Sequence, residues 1–158
     1  EFGYSFNHAT NSSTLTAEDY FYQAYNNESD YEYQIEKFTE CLSLNADYAE
    51  AYLGRSNAYQ KLNKYEYAIA DCNQFIKLSP NDYIGYYMRG VTYELMDFYE
   101  EAIADLSKSI RKNRNHVLSY VFRGMAKEKS GKSFCKDYKK ACDLGRAVCC
   151  KWYYQDCK

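Results

Sequence analysis

Five of the seven cysteines fall in the last quarter of the chain, at Cys135, Cys142, Cys149, Cys150 and Cys157. Thiols at this density can ligate a metal, cross-link, or pack as small apolar side chains. Structural zinc sites use closely spaced ligand pairs, usually two Cys or Cys with His. No two cysteines here stand in C-x-x-C spacing, and no His lies near the cluster. Metal is therefore the last of the three readings, and no cofactor is expected. Cys135 and Cys142, seven apart on one helix, are too distant to bond. If two antiparallel helices meet about Gly145, Cys142 comes near Cys149 or Cys150, and Cys135 near Cys157. Disulfides there need Cα separations below about 7 Å. Burial as free thiols is the first reading, because Cys packs as a small hydrophobe. Cys41 and Cys72 fit that reading.

Other constellations that could do chemistry are absent. His8 lies in a polar stretch rich in Asn, Ser and Thr, and His116 at a boundary between elements. Neither has a nucleophile or metal partner in sequence, and His116 reads as a capping or surface residue. There is no Gly-rich phosphate loop. No catalytic residue is expected, and the chain reads as a non-enzyme. The sequons Asn11-Ser12-Ser13 and Asn27-Glu28-Ser29 matter only for a secreted eukaryotic protein. A net charge of −2 gives no electrostatic reason to bind nucleic acid or an anionic membrane. No apolar run is long enough to insert in a bilayer, and no leader pattern opens the chain. The chain begins Glu1-Phe2, without Met, so that absence carries little weight. The odd cysteine count leans the localisation toward the cytoplasm without deciding it.

The elements around these residues are helical. The chain has 20 Tyr but one Pro, and so little punctuation that long helices are favoured. It also repeats with a period of 34 residues. Tyr25, Tyr59 and Tyr93 match, as do Tyr31, Tyr65 and Tyr99, and Ile35, Ile69 and Ile103. Small residues recur at Ser56, Gly90 and Gly124, and again at Ala68 and Ala102. Pro80 follows the second helix of its unit. A small residue in the first helix, Tyr three places on, Ala in the second helix and Pro after it together resemble the tetratricopeptide (TPR) repeat. The segment from Cys135 to Gly145 is similar to the closing repeat of many bacterial TPR proteins.

The resemblance implies an all-α, right-handed superhelical solenoid of helix–turn–helix units with a concave groove. The expected boundaries are an irregular arm over 1–14 and four repeats over 15–48, 49–82, 83–116 and 117–145. A capping helix over 146–158 closes the end. Thr16 and Asp19 form a capping-box pattern that starts the first helix near Ala17. The last unit's turn, Lys129 to Ser133, is two residues short, and the helix after it is expected over 132–143. Apolar stripes run along both helices of the second unit: Tyr52, Tyr59 and Leu62, then Tyr65, Ile69, Cys72, Ile76 and Leu78. Small residues let helix backbones approach, where a bulkier side chain would overpack. Arg55 precedes Asp71 by 16 residues and Arg89 precedes Asp105 by the same, while Arg123 precedes Asp137 by 14. The first unit has Phe21 and Lys37 at those places, so both partners are lost together. An ion pair within each of units two to four is expected, of little energetic weight if exposed.

In a TPR fold the first helix of each unit lines the groove. Carried over by repeat place, Asp19, Leu53, Tyr87 and Val121 point into it. Gln23, Asn57, Val91 and Met125 follow one turn later, with Asn26, Gln60, Glu94 and Glu128 at the edge. That groove would be polar at its N-terminal half and apolar at its C-terminal half. Chaperone-binding TPR domains hold a C-terminal carboxylate with Lys, Asn, Asn, Lys and Arg. Here Asp19 and Gln23 replace the first two, Asn57 matches the third, and Ile84 and Met88 replace the last two. That ligand would meet a like charge and find no cations. Lys61 and Lys129 remain at the edge for acidic groups. The expected function is a protein-interaction scaffold that binds a peptide or partner protein in the groove. The alternatives are a self-associating structural module (a homo-oligomer), or a redox or metal role for the C-terminal cysteines.

Overall fold

The computed structural model describes residues 14–27 and 29–157. The arm expected over 1–14, with His8 and the sequon at Asn11, lies outside the described residues apart from Thr14, as does Glu28 of the second sequon. The described residues form helices α1 (Ala17–Tyr25), α2 (Tyr31–Leu44), α3 (Ala49–Lys61), α4 (Tyr65–Leu78), α5 (Tyr83–Leu95), α6 (Tyr99–Lys112), α7 (Val117–Lys129), α8 (Cys135–Asp143) and α9 (Ala147–Asp156). Each helix packs on its neighbours in sequence. The first helices of successive units also touch, α1 on α3, α3 on α5 and α5 on α7. This is an all-α solenoid, in which each unit borrows part of its core from the next.

The capping box at the first helix is present. Asp19 N donates to Thr16 Oγ1 at 3.2 Å, and Thr16 N to Asp19 Oδ2 at 2.8 Å. The tight turns inside units two and three place Asn63 and Asp97 at φ 56° and 61°, a left-handed backbone that side chains rarely adopt. The Tyr two residues on steadies each: Tyr65 OH donates to Asn63 Oδ1 at 2.7 Å and Tyr99 OH to Asp97 Oδ1 at 2.6 Å. Gly131 holds the same place in unit four, at φ 72°. From there to the pairing acid is two residues shorter than from Asp97 to Asp105. An extended residue spans about twice the distance of a helical one. The first helical turn is accordingly drawn out, and α8 starts at Cys135 rather than at residue 132.

Small residues sit where helices cross. Ser56 Oγ donates to the carbonyl of Ala68 at 3.0 Å, both residues buried. A Cβ on Gly90 would fall 2.8 Å from Leu106, and one on Gly124 2.4 Å from the ring of Tyr138. The stripe on α4 differs from the sequence reading. Ala68, Cys72 and Phe75 face inward, whereas Leu78 is 36% exposed at the rim. Cys41 and Cys72 are core residues, and burial pushes the Cys72 thiol up to about 12.

The Arg–Asp pairs form, and they are not surface pairs. Arg55 binds Asp71 through Nε and Nη2, both at 2.8 Å. Arg89 binds Asp105 at 2.6 and 3.0 Å, and Arg123 binds Asp137 at 3.2 and 2.6 Å. All three aspartates are buried. For Asp71, burial outweighs the guanidinium and pushes its carboxyl up from the usual range. The remaining Nη1 of each Arg reaches back 16 residues into the preceding unit, to Thr39, Asn73 and Ser107. The rings of Tyr52, Tyr86 and Tyr120 lie under the guanidinium groups at 5.7–5.9 Å. Each Arg is thus a fork that joins two helices of its own unit and staples that unit to the one before.

Candidate peptide-binding groove

Two adjoining hollows open beside α3 and share Tyr25, Phe38, Gly54 and Asn57. One, of ≈ 350 Å³, is walled by Phe21, Tyr25, Phe38, Leu53, Ile84 and Met88, with Glu50 and Asn57 on its rim. The other, of ≈ 360 Å³, is more polar and adds Tyr31, Gln34 and Lys61. Gly54 makes room for them, because a Cβ there would sit 2.2 Å from the Phe38 ring. A third hollow, of ≈ 350 Å³, takes in Lys61 again with Gln60, Tyr65, Val91, Leu95 and Phe122. The three are strung across units one to four through shared residues.

The residues named from sequence divide accordingly. Leu53, Asn57, Gln60 and Val91 line these hollows. Gln60 also bridges units, its amide donating to Met88 O at 3.1 Å and to Thr92 Oγ1. Gln23 is half-buried on α1. Asp19 is exposed, but its carboxylate turns back onto Thr16, and the backbone bond there holds it below the usual carboxylate range. Tyr87 is half-buried in a seam, edge-on to His116 at 4.7 Å and to Phe122 at 6.0 Å. Burial pushes its hydroxyl up.

Two expectations are corrected. Glu94 is not at the edge: it is 3% exposed and accepts from Lys129 Nζ at 2.6 Å. Val121 is not groove lining: it is 6% exposed in a core with Tyr120, Ala141 and Cys149. Met125 and Glu128, by contrast, line a hollow of ≈ 250 Å³ with Tyr138 and Trp152, where Glu128 accepts from Tyr138 OH at 2.7 Å. The expected polarity is therefore reversed. The apolar hollow lies at the N-terminal units, and at the C-terminal end α8 and α9 cover Val121 and leave a smaller, more polar hollow beside Met125 and Glu128. Repeat place identifies equivalent positions but not what covers them. Phe21, Phe38, Ile84 and Met88, which supply most of the apolar wall, were missed as lining. The replacement of two clamp cations by Ile84 and Met88 was the available signal.

Elsewhere, the chemistry-bearing residues are occupied structurally. His116 Nδ1 lies 2.8 Å from Ser119 Oγ, itself 2.8 Å from Ser109 Oγ. Both serines are fully buried, so this chain ties α6 to α7 and offers no reachable nucleophile. The imidazole is sandwiched by Tyr83 and Tyr87 rather than capping α7, and burial lowers its pKa. Among the described residues, no three His, Cys, Asp or Glu side chains converge to hold a metal. No helix of the described residues is long and apolar enough to cross a membrane. Cys135 is bonded to Cys157 with Cα atoms 5.6 Å apart, and Cys142 to Cys150 at 4.7 Å. Cys149 is a buried free thiol.

Comparison with known proteins places this architecture. Family models for the tetratricopeptide repeat match residues 49–82 and 84–116. No curated protein sequence matches the chain significantly. Among solved structures, a crystal structure of MamA is similar in fold, with a TM-score of 0.77 over 84% of this chain and 80% of that one at 24% identity. MamA residues 41 to end from Desulfovibrio magneticus RS-1 align with a TM-score of 0.68, covering 89% and 77% at 19% identity. The Arabidopsis OM64 TPR domain aligns with a TM-score of 0.65, covering 71% and 92% at 21% identity. The repeat period, the paired helices and these matches agree: the chain carries tetratricopeptide repeats, matched over 49–82 and 84–116, in an all-α repeat fold.

Proposed function

We propose that the chain is a non-enzymatic scaffold that holds an apolar peptide segment of a partner protein along the inner face of units one to three. The observation that carries this reading is the open hollow walled by Phe21, Tyr25, Phe38, Leu53, Ile84 and Met88. Open apolar concavities of this kind are where partners dock. The two adjoining hollows carry charges of opposite sign, Glu50 in the apolar one and Lys61 in its more polar neighbour. A segment with a bulky apolar anchor, a basic residue toward Glu50 and an acidic residue toward Lys61 would fit it. Burying one Leu-sized anchor contributes about 1.5–3 kcal/mol, which is more than tenfold in affinity.

Selection of a displayed random peptide library on the purified chain tests this. The expected result is an enriched consensus with an apolar anchor. Binding of the enriched peptide should weaken at least about tenfold in Leu53→Glu, with helical content and melting temperature retained. Absence of any consensus, or equal affinity in the variant, refutes the reading.

A further inference from the structure

Val121 and Met125 occupy the places in α7 that Leu53 and Asn57 occupy in α3, yet Val121 is buried and Met125 is packed against its core, while the latter two are open. The cover is the α8–α9 hairpin, which brings Leu144, Cys149 and Trp152 onto them. We infer that α9 is a disulfide-locked lid over the C-terminal end of the inner face, and that a dithiol reductant releases it. The role of the uncovered surface rests on the groove reading above; the release itself does not.

Three observations support the lock. First, α9 is weakly held without it. It has 10 residues, shorter than a helix that persists alone in water, and no side chain caps its start. Among its described residues Cys149 is the one buried side chain. Second, the two bridges grip both ends of α9. Cys150 near its start is bonded to Cys142, and Cys157 just past its end to Cys135. Both bridges end on α8, so cutting them frees α9 without breaking a covalent tie inside the repeat stack. Third, all four bridged cysteines are half-buried rather than sealed in the core, so an attacking thiolate can reach them.

The chemistry is thiol–disulfide exchange. For each bridge, a thiolate of a dithiol attacks one sulfur, breaking the protein S–S bond and forming a mixed disulfide. The second thiol of the reductant then displaces the protein cysteine. The reductant becomes a cyclic disulfide and two protein thiols are formed, with two electrons and two protons transferred. Opening both bridges takes two dithiols. The uncovered surface would be Val121, Met125 and Tyr138, which would extend the apolar inner face toward unit four.

The three buried free thiols allow a direct test on the full chain. Cys41 and Cys72 lie in the cores of units one and two, and Cys149 lies under the lid. In the oxidised protein, iodoacetamide followed by mass spectrometry should leave all three unmodified. After dithiothreitol, Cys149 should label together with the four bridge cysteines, while Cys41 and Cys72 stay protected. Removal of each bridge should raise the Cys149 labelling rate roughly thirtyfold or more. Trp152 is the sole tryptophan, and its emission should move to longer wavelength as it meets water. The variant Cys150→Ser/Cys157→Ser, which lacks both bridges, should show both changes without reductant. A Cys149 that stays protected after reduction overturns the proposal, because the lid then holds without its lock. Simultaneous labelling of Cys41 and Cys72, or loss of helical signal in the variant, overturns it as well, because the bridges then support the whole fold. Seven free thiols in the unreduced protein would show that there is no lock.

Discussion

Replacing Asp105 with Ala removes the acid from the Arg fork of the third unit. Asp105 is 3% exposed and accepts from Arg89 Nε at 2.6 Å and Nη2 at 3.0 Å. After the change, Arg89 keeps its reach to Asn73 but loses its counter-charge. Breaking a buried pair by removing one partner costs about 3–5 kcal/mol, most of it from the stranded charge. The Arg89 side chain retains 17% exposure, so water can reach it, and the loss should fall at the low end, about 3 kcal/mol. In a chain of this size that corresponds to a fall in Tm of roughly 6–12 °C. The double change Arg89→Met/Asp105→Leu should recover most of the loss, because a desolvated pair replaced by apolar side chains of similar volume is close to neutral. Thermal melts followed by circular dichroism on Asp105→Ala, and on Arg89→Met, Asp105→Leu and their double variant, which close the cycle, test this. A fall below about 2 °C for Asp105→Ala, or a double variant whose loss is the sum of the singles, would refute the fork as a coupled unit.

Two further outcomes follow from packing and protonation. Gly124→Ala puts a Cβ 2.4 Å from the Tyr138 ring, which costs about 1–3 kcal/mol against a helix-propensity gain near 1. Urea denaturation should show net destabilisation, and a more stable variant would mean that the ring moves aside freely. Burial lowers the His116 pKa, so the folded state binds fewer protons than the unfolded state just below the unfolded value of 6.5. Stability should therefore fall as pH drops from 6.5 toward the folded pKa, and His116→Gln should flatten that slope. An unchanged slope in the variant would assign the titration to another group.

The helices, the turns and the forks were legible because each is a local pattern written several times. Tyr59 and Tyr93, or Arg55 and Arg89, mean the same thing at the same place, and a period multiplies the signal. Burial of the forks was not legible. Whether Asp71 sits at a surface or beneath a guanidinium depends on the crossing of two helices, which no single helix reveals. Groove membership failed for a related reason. Val121 and Leu53 hold the same place, but only Val121 has a hairpin folded over it. Phe38 was overlooked because it belongs to a second helix, and it reaches the inner face only past a glycine, Gly54, that clears its path. The cysteine pairing was narrowed by the antiparallel geometry about Gly145 to the partners that are found bonded. What spacing could not decide was Cys149 against Cys150, neighbours whose side chains diverge by about 100° around one short helix.

The forks also give the stack a direction. Units two, three and four are each closed by a guanidinium, while the first holds Phe21 and Lys37 in its place and rests on ring contacts, Phe21 with Tyr25, Phe38 and Tyr48. The far end is covalently sewn. Fraying should therefore begin between α1 and α2, with amide hydrogen exchange fastest there and slowing along the chain. That end also walls the apolar hollow, through Phe21, Tyr25 and Phe38. The end most free to breathe would be the end that receives a partner, and occupancy there would tighten the one unit that has no fork.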